Sequence, residues 1–226
     1  MINDNVKIII PARKNSSRFP LKHFKFLGNK QVYEYTFDFA LKNAKPENIW
    51  VNTDDKKLIK VTKERGINFI NRPTKLANDF TPTVDVLKHQ IKYFDKHNIE
   101  CKSIILLQLT NPFRPVDLLN KAHKIFLNSK NESLATFSEL KQKVCEISDN
   151  KYRSINYQPG MRSQDMKPLY YENGLLYISS RESIMKSKII TEDVYPLIVN
   201  EPHAQIDIDH EKDLILAEYI LNKIDI

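Results

Sequence analysis

Val6-Lys7-Ile8-Ile9-Ile10-Pro11-Ala12-Arg13-Lys14-Asn15-Ser16-Ser17-Arg18-Phe19-Pro20-Leu21-Lys22-His23 is the stretch on which the fold turns. Val6 to Ile10 is an almost unbroken β-branched run, which suits a strand buried on both faces. The first strand of an open parallel sheet delivers its trailing loop to the crevice at the strands' carboxyl ends. Here that loop carries four fixed cations, Arg13, Lys14, Arg18 and Lys22, together with hydroxyls. Such a loop points to an anionic, phosphorylated ligand. Ordinary solvated surface can show the same pattern, and neither a Walker loop nor a G-x-G-x-x-G turn is present. Pro11 and Pro20 stiffen the two ends instead, since each locks φ.

Working outward, apolar runs alternate with helical periodicity. Strand 6–11 precedes a helix near 31–43, strand 49–53, helix 56–65 and strand 67–70. Gly66 stands where a left-handed C-cap is expected. Helix 84–96, strand 104–108, helix 116–127 and strand 134–137 follow. This alternation predicts an α/β fold, three-layer and Rossmann-like, with a mostly parallel sheet and right-handed crossovers. The pattern breaks at about 141–170, a polar span containing Pro159-Gly160. We read it as a lobe embedded in a single domain of residues 1–226, serving acceptor binding or dimerisation. Regularity returns with strands at 174–179, 195–199 and 204–208 and a closing helix near 211–223.

Bulk properties bound the function without choosing it. The 226 residues are 41% hydrophobic and 28% charged, as in a soluble globular protein with one well-buried core. No stretch approaches the roughly 20 apolar residues of a membrane span, and no secretory leader is visible. Cys101 and Cys145 stand far apart with no zinc spacing, which reads as reduced thiols and a cytoplasmic setting. The net charge of +7 is spread along the chain. It fits an anionic partner, but blocks of like charge that mark a nucleic-acid arm are absent.

Each strand end carries a polar cluster: Asn52-Thr53-Asp54-Asp55, Asn71-Arg72, Asn78-Asp79-Phe80-Thr81-Pro82-Thr83, Gln108 to Arg114, and Asp207-Ile208-Asp209-His210. Helix capping accounts for part of this, notably at Thr53-Asp54-Asp55. Convergence of several clusters on one rim argues for a site. On a strand, Asp207 and Asp209 share a side, within reach of one cation. Hard carboxylate oxygens suit Mg²⁺ bridged to substrate phosphates. Equally, Asp209 could cap the final helix while Asp207 turns outward.

At this point the residues resemble a family. Ile10-Pro11-Ala12-Arg13, with Ser16, Ser17, Arg18, Pro20 and Lys22, resembles the opening motif of the CMP-sugar-acid synthetases. These are the cytidylyltransferases for sialic acids and related nonulosonates, with the Kdo-activating enzymes as close relatives. Val51 to Asp55 is similar to their V-S-T-D-D, and Arg72-Pro73, Leu76-Ala77, Asp79 and Thr83 to their R-P, L-A, D, S/T stretch. Leu107 to Arg114 resembles L-Q-P-T-S-P-L-R, Asn173 to Ile178 the N-G-A-I-Y-I block, and Asp207-Ile208-Asp209 the terminal D-I-D. Lys14-Asn15-Ser16-Ser17 replaces the family's glycine-rich segment, and His23 stands where sialate enzymes usually carry Asn.

The resemblance implies a nucleotidyltransferase-type fold, CTP as donor, Mg²⁺ as cofactor and attack of a sialic-type sugar acid's hydroxyl on the α-phosphate. It implies Arg13, Ser17, Arg18, Lys22, Arg72 and Thr83 at the nucleotide, with Arg13, Lys22 and Asp209 catalytic. Metal would sit on Asp207 and Asp209. Gln108, Arg114, Arg162, Gln164 and Asn173 would face the acceptor sugar. Relatives are commonly homodimers, so the resemblance implies a dimer, with neither nucleic acid nor membrane as partner. Kdo or another sugar acid is the alternative acceptor. A non-catalytic nucleotide- or RNA-binding module is the alternative of another class; no RNP-like aromatic motif supports it.

Overall fold

The computed structural model describes residues 2–223, so the extreme ends of the 1–226 span lie outside the described residues. In chain order the elements are β1 (Val6–Ala12), β2 (Phe26–Leu27), β3 (Lys30–Gln31), α1 (Val32–Asn43), β4 (Ile49–Thr53), α2 (Lys56–Glu64) and β5 (Asn68–Asn71). Then come α3 (Thr83–Lys96), β6 (Ser103–Leu106), α4 (Leu118–Asn128), β7 (Ser133–Leu140), β8 (Cys145–Ser148) and β9 (Lys151–Ser154). The chain closes with β10 (Leu169–Ser180), α5 (Arg181–Met185), β11 (Tyr195–Ile198) and α6 (Glu211–Leu221).

Seven strands form the central sheet in the order β11-β7-β10-β6-β1-β4-β5. β1 pairs in parallel with β4 and β6, and β4 with β5. β10 runs antiparallel to both its neighbours, while β11 is parallel to β7. The sheet is therefore mostly parallel, with β10 inserted against the common direction.

The β-branched run of β1 does what its composition predicts: Ile8, Ile9 and Ile10 are completely buried. Ile8 and Ile10 face one apolar layer, with Tyr33 and Phe37 of α1, Leu58 of α2 and Leu119 of α4. Ile9 faces the opposite layer, with Leu87, Ile91 and Phe94 of α3 and Ile184 of α5. Helices thus cover both faces. From β1 the chain adds β4 and β5 on one side, then returns to place β6 on the other. That reversal opens a crevice at the carboxyl end of β1, where such sheets bind ligands.

Two elements depart from the sequence reading. Residues 204–208 are not a strand; a 3₁₀ turn, Pro202–Gln205, leads into irregular backbone. The strand expected at 174–179 is the inner half of the longer β10, whose register shifts between Glu172 and Tyr177. Gly174 lies in that irregularity at φ +77, where an added Cβ would stand 3.2 Å from Asn111 Oδ1. Both its backbone and its neighbour demand glycine. Between β7 and β10 the chain leaves the large sheet, and β8 and β9 pair only with each other.

Candidate active site

The crevice at the β1 terminus is a cleft of about 270 Å³, walled by Arg13, Ser16, Arg18, Lys22 and His23 from the first loop. Arg72, Asp79, Thr81 and Thr83 come from the β5–α3 segment, Gln108 and Thr110 from beyond β6, and Asp207 and Asp209 from before α6. The early cations and the late acids therefore meet.

Their meeting has an apolar cause. Ile206 and Ile208 sink into a cluster with Phe19, Leu27, Val32, Phe113 and Ala217. Alternation of buried isoleucine with aspartate leaves Asp207 and Asp209 turned outward, and Ile208 N–H fixes the segment by donating to Thr110 C=O at 2.8 Å. Phe19, in the middle of the cationic loop, sits in the same cluster, so loop and acids share one base. The i, i+2 expectation thus holds for the side chains although no strand carries it. Capping of α6 falls to another residue: Asp213 Oδ2 accepts from Asp209 N–H at 3.0 Å and His210 N–H at 2.7 Å. The Asp209 carboxylate is left for the cleft.

Asp209 bridges two cations, with Oδ1 2.7 Å from Lys22 Nζ and Oδ2 2.9 Å from Arg18 Nη2. Burial raises its carboxyl pKa, but the Lys22 hydrogen bond and the Lys22 and Arg18 charges outweigh that and hold it below the ordinary value. Arg13 Nη2 pairs with Asp79 Oδ1 at 2.5 Å. Below the loop, Asp54 Oδ1 accepts from Lys14 N–H at 2.8 Å, while Asp55 caps α2 through Lys57 N–H. The two acids after β4 thus divide the work: one pins the cationic loop, the other starts a helix. Arg72 spends two donors on Asn52, Nε on its side-chain oxygen and Nη2 on its carbonyl. Burial pushes the Arg72 pKa down to about 10, so it stays cationic at neutral pH.

Of the residues expected at the nucleotide, Arg13, Arg18, Lys22, Arg72 and Thr83 line the cleft; Ser17 lines an adjoining recess and donates to Asp79 Oδ1 at 3.2 Å. Among those expected at the sugar, only Gln108 lines it. Arg114 is internal. Its guanidinium donates to the carbonyls of Leu175, Asn111 and Gln108 and to Thr36 Oγ1, all at 2.6–3.0 Å. With those donors spent in a buried site, it fixes the Gln108 backbone. Asn173 is likewise internal, bonded to Ser138 Oγ and Leu175 N–H. Arg162 and Gln164 are exposed and outside the cleft lining, and Arg162 is paired with Asp165 at 2.7 Å.

Asp79 and His23 are among the cleft residues to which the sequence reading gave no role. Asp79 was visible as an acid beside the cationic loop's expected partners, but nothing in the sequence fixed its pairing with Arg13. His23 is 7% exposed, and its Nδ1 is buried with no hydrogen-bond partner among the described residues. Burial, then the Lys22 charge, pushes its pKa down to about 4, so the ring is neutral beneath a cationic site.

Comparison with known proteins is consistent with this geometry. The chain is 28% identical over 215 residues to N-acylneuraminate cytidylyltransferase of Streptococcus agalactiae serotype III, covering 92% of this chain and 51% of that protein. It thus spans about half the length of that relative. CMP-N,N'-diacetyllegionaminic acid synthase of Legionella pneumophila is 28% identical over 222 residues, covering 94% of each chain. In fold, the chain is similar to a CMP:2-keto-3-deoxy-manno-octonic acid synthetase complexed with CTP. The TM-score is 0.67 at 17% identity, covering 96% of this chain and 98% of that one. The family model for cytidylyltransferases matches residues 7–224, and this chain belongs to the cytidylyltransferase family.

Proposed function

We propose that the protein transfers the cytidylyl group of CTP to a hydroxyl of a nonulosonic, sialic-type sugar acid, releasing pyrophosphate. The observation that carries this reading is the joining of Arg13, Arg18 and Lys22 with Asp207 and Asp209 on one cleft. The names of the relatives supply the acceptor class. Kdo as acceptor is the second reading, favoured by the Ser16-Ser17-Arg18-Phe19-Pro20 run, which resembles the S-T-R-L-P of Kdo enzymes.

Arg13, Arg18 and Lys22 would hold the triphosphate, with Arg72 and Thr83 at the nucleoside end. Cations aimed where charge gathers on the departing pyrophosphate supply most of what phosphoryl transfer asks of a protein, besides alignment. Gln108, held from behind by Arg114, would orient the acceptor.

The donor set fits magnesium. Among the described residues no cluster of three or more His, Cys, Asp or Glu side chains could hold a metal ion. Two carboxylates, Asp207 and Asp209, face the cleft, and Mg²⁺ is commonly held by one or two carboxylates plus substrate phosphates and water. When bound, it would neutralise phosphate charge and lower the pKa of a coordinated hydroxyl.

The proposal includes a homodimer and a cytoplasmic setting. For the dimer, the support is the β8–β9 hairpin, whose exposed Ile147 and Tyr152 lie opposite each other. For the setting, it is the use of CTP and two unbridged cysteines, Cys101 and Cys145. No helix among the described residues is long and apolar enough to cross a membrane.

A pyrophosphate-release assay with CTP, Mg²⁺ and a panel of nonulosonic acids and Kdo tests the reading. Release with one or more of these acids is expected. No release with any of them, together with salt-sensitive oligonucleotide binding, would replace it with the binding-module alternative.

A further inference from the structure

Every cation of the first loop that lines the cleft is already matched by a protein carboxylate. Arg18 and Lys22 share Asp209, which the proposed reaction uses. Arg13 is matched by Asp79, a residue the reaction does not use. Asp79 Oδ1 lies 2.5 Å from Arg13 Nη2 and also accepts from Ser17 Oγ at 3.2 Å. One acid therefore grips two points of the loop that would receive phosphate.

The segment carrying Asp79 is lightly anchored. Asn78 shapes it locally, its Oδ1 accepting from Phe80 N–H and its Nδ2 donating to Lys75 C=O, each at 2.9 Å. Phe80, next to the acid, is 93% exposed, so the tip packs against nothing. Segments with few buried contacts move at low free-energy cost. The Asp79 side chain is itself 49% exposed, and its ion pair is of the weak, replaceable kind.

We propose that Asp79 is a positioning residue that occupies Arg13 in the ligand-free protein and is displaced by the polyphosphate of the incoming nucleotide. Asp79 holds Arg13 Nη2, and a phosphate oxygen that takes this donor competes with the carboxylate for it. The exchange swaps one ion pair for another. It therefore favours ligands that bring several charges at once to Arg13, Arg18 and Lys22. Asp79 thereby sets a threshold against weakly charged anions.

This inference rests on the nucleotide reading of the cleft, and calorimetric titration of inorganic pyrophosphate and CTP separates the two. Asp79→Asn should bind both about two- to fivefold more tightly than wild type. Its KM for CTP should fall by a similar factor without a rise in kcat. Asp79→Glu should restore wild-type values, and added salt should shrink the difference. Asp79→Ala, at the same exposed position, must move in the same direction as Asp79→Asn. Equal or weaker binding by both folded variants overturns the role of Asp79 and leaves the nucleotide reading standing. Binding of neither probe by wild type overturns both.

Discussion

Lys22 Nζ lies 2.7 Å from Asp209 Oδ1 across 187 residues of sequence. This contact ties the loop after β1 to the segment before α6 and brings both ends of the domain to one cleft. Lys22 is nearly buried, its side chain 9% exposed, so a neutralising partner is a structural need as well as a chemical one.

Asp209→Ala should therefore do two things. Turnover should fall by about 100-fold or more if Asp209 carries the metal and the acceptor hydroxyl. CTP binding should largely survive, because Arg13, Arg18, Lys22 and Arg72 remain in the cleft. Stability should drop by about 1–3 kcal/mol for the stranded ammonium. Initial rates, calorimetry and a denaturant melt measure the three; unchanged turnover would remove Asp209 from the chemistry.

Arg114→Ala should be a folding defect before it is a kinetic one. It strips donors from the carbonyls of Gln108, Asn111 and Leu175 inside a fully buried site, which should cost about 3 kcal/mol or more. Arg114→Lys should not rescue it, since one ammonium cannot replace a planar fork. The chemical denaturation midpoint reads this directly. A stable Arg114→Ala protein with only a raised KM for the sugar acid would return Arg114 to the acceptor site.

Much of this was legible in the sequence, for identifiable reasons. The β1 run suited a strand buried on both faces, and its strand–helix alternation with 32–71 pointed to the parallel half of the sheet. Ile206-Asp207-Ile208-Asp209 carried its own instruction, two apolar residues inward and two acids outward, whatever backbone it adopted. The setting of Arg114 was not legible because two of its acceptors are distant in sequence: Thr36 and Leu175 join the nearby Gln108 and Asn111. Nothing short of the fold reveals that its donors are consumed. Arg162 and Gln164 lie outside the cleft lining; the resemblance supplies a role without a position. The Arg13–Asp79 pair spans 66 residues (79 − 13) and was invisible for the same reason.

His23 should give the stability curve an acid limb. Its pKa is about 4 in the folded protein, through burial first and Lys22 second, against 6.5 for an ordinary histidine. Between those values the unfolded chain holds the extra proton and the folded chain does not. Stability therefore falls as pH drops from 6.5 towards about 4, then levels off. The full difference amounts to about 3 kcal/mol. His23→Asn should flatten this part of the profile, as followed by denaturant melts between about pH 7 and about pH 4.5. Parallel profiles for the two proteins would show that the ring is not buried neutral.

The β8–β9 hairpin makes the dimer testable. Its turn, Asp149-Asn150, has φ of +51 and +60, the positive pair that a tight two-residue turn requires. Glu146 pairs with Arg153 on one face, while Ile147 lies opposite Tyr152 on the other. A two-stranded hairpin is marginal in water unless its apolar face is covered. Ile147 is 74% exposed and Tyr152 57%, so within one chain that face is open. A second copy is the cover we expect. Ile147→Asp should shift the protein from dimer to monomer in light scattering, with the thermal transition of the remaining domain little changed. A wild-type protein that scatters as a monomer at all concentrations, or an Ile147→Asp variant that stays dimeric, would place the dimer contact elsewhere or nowhere.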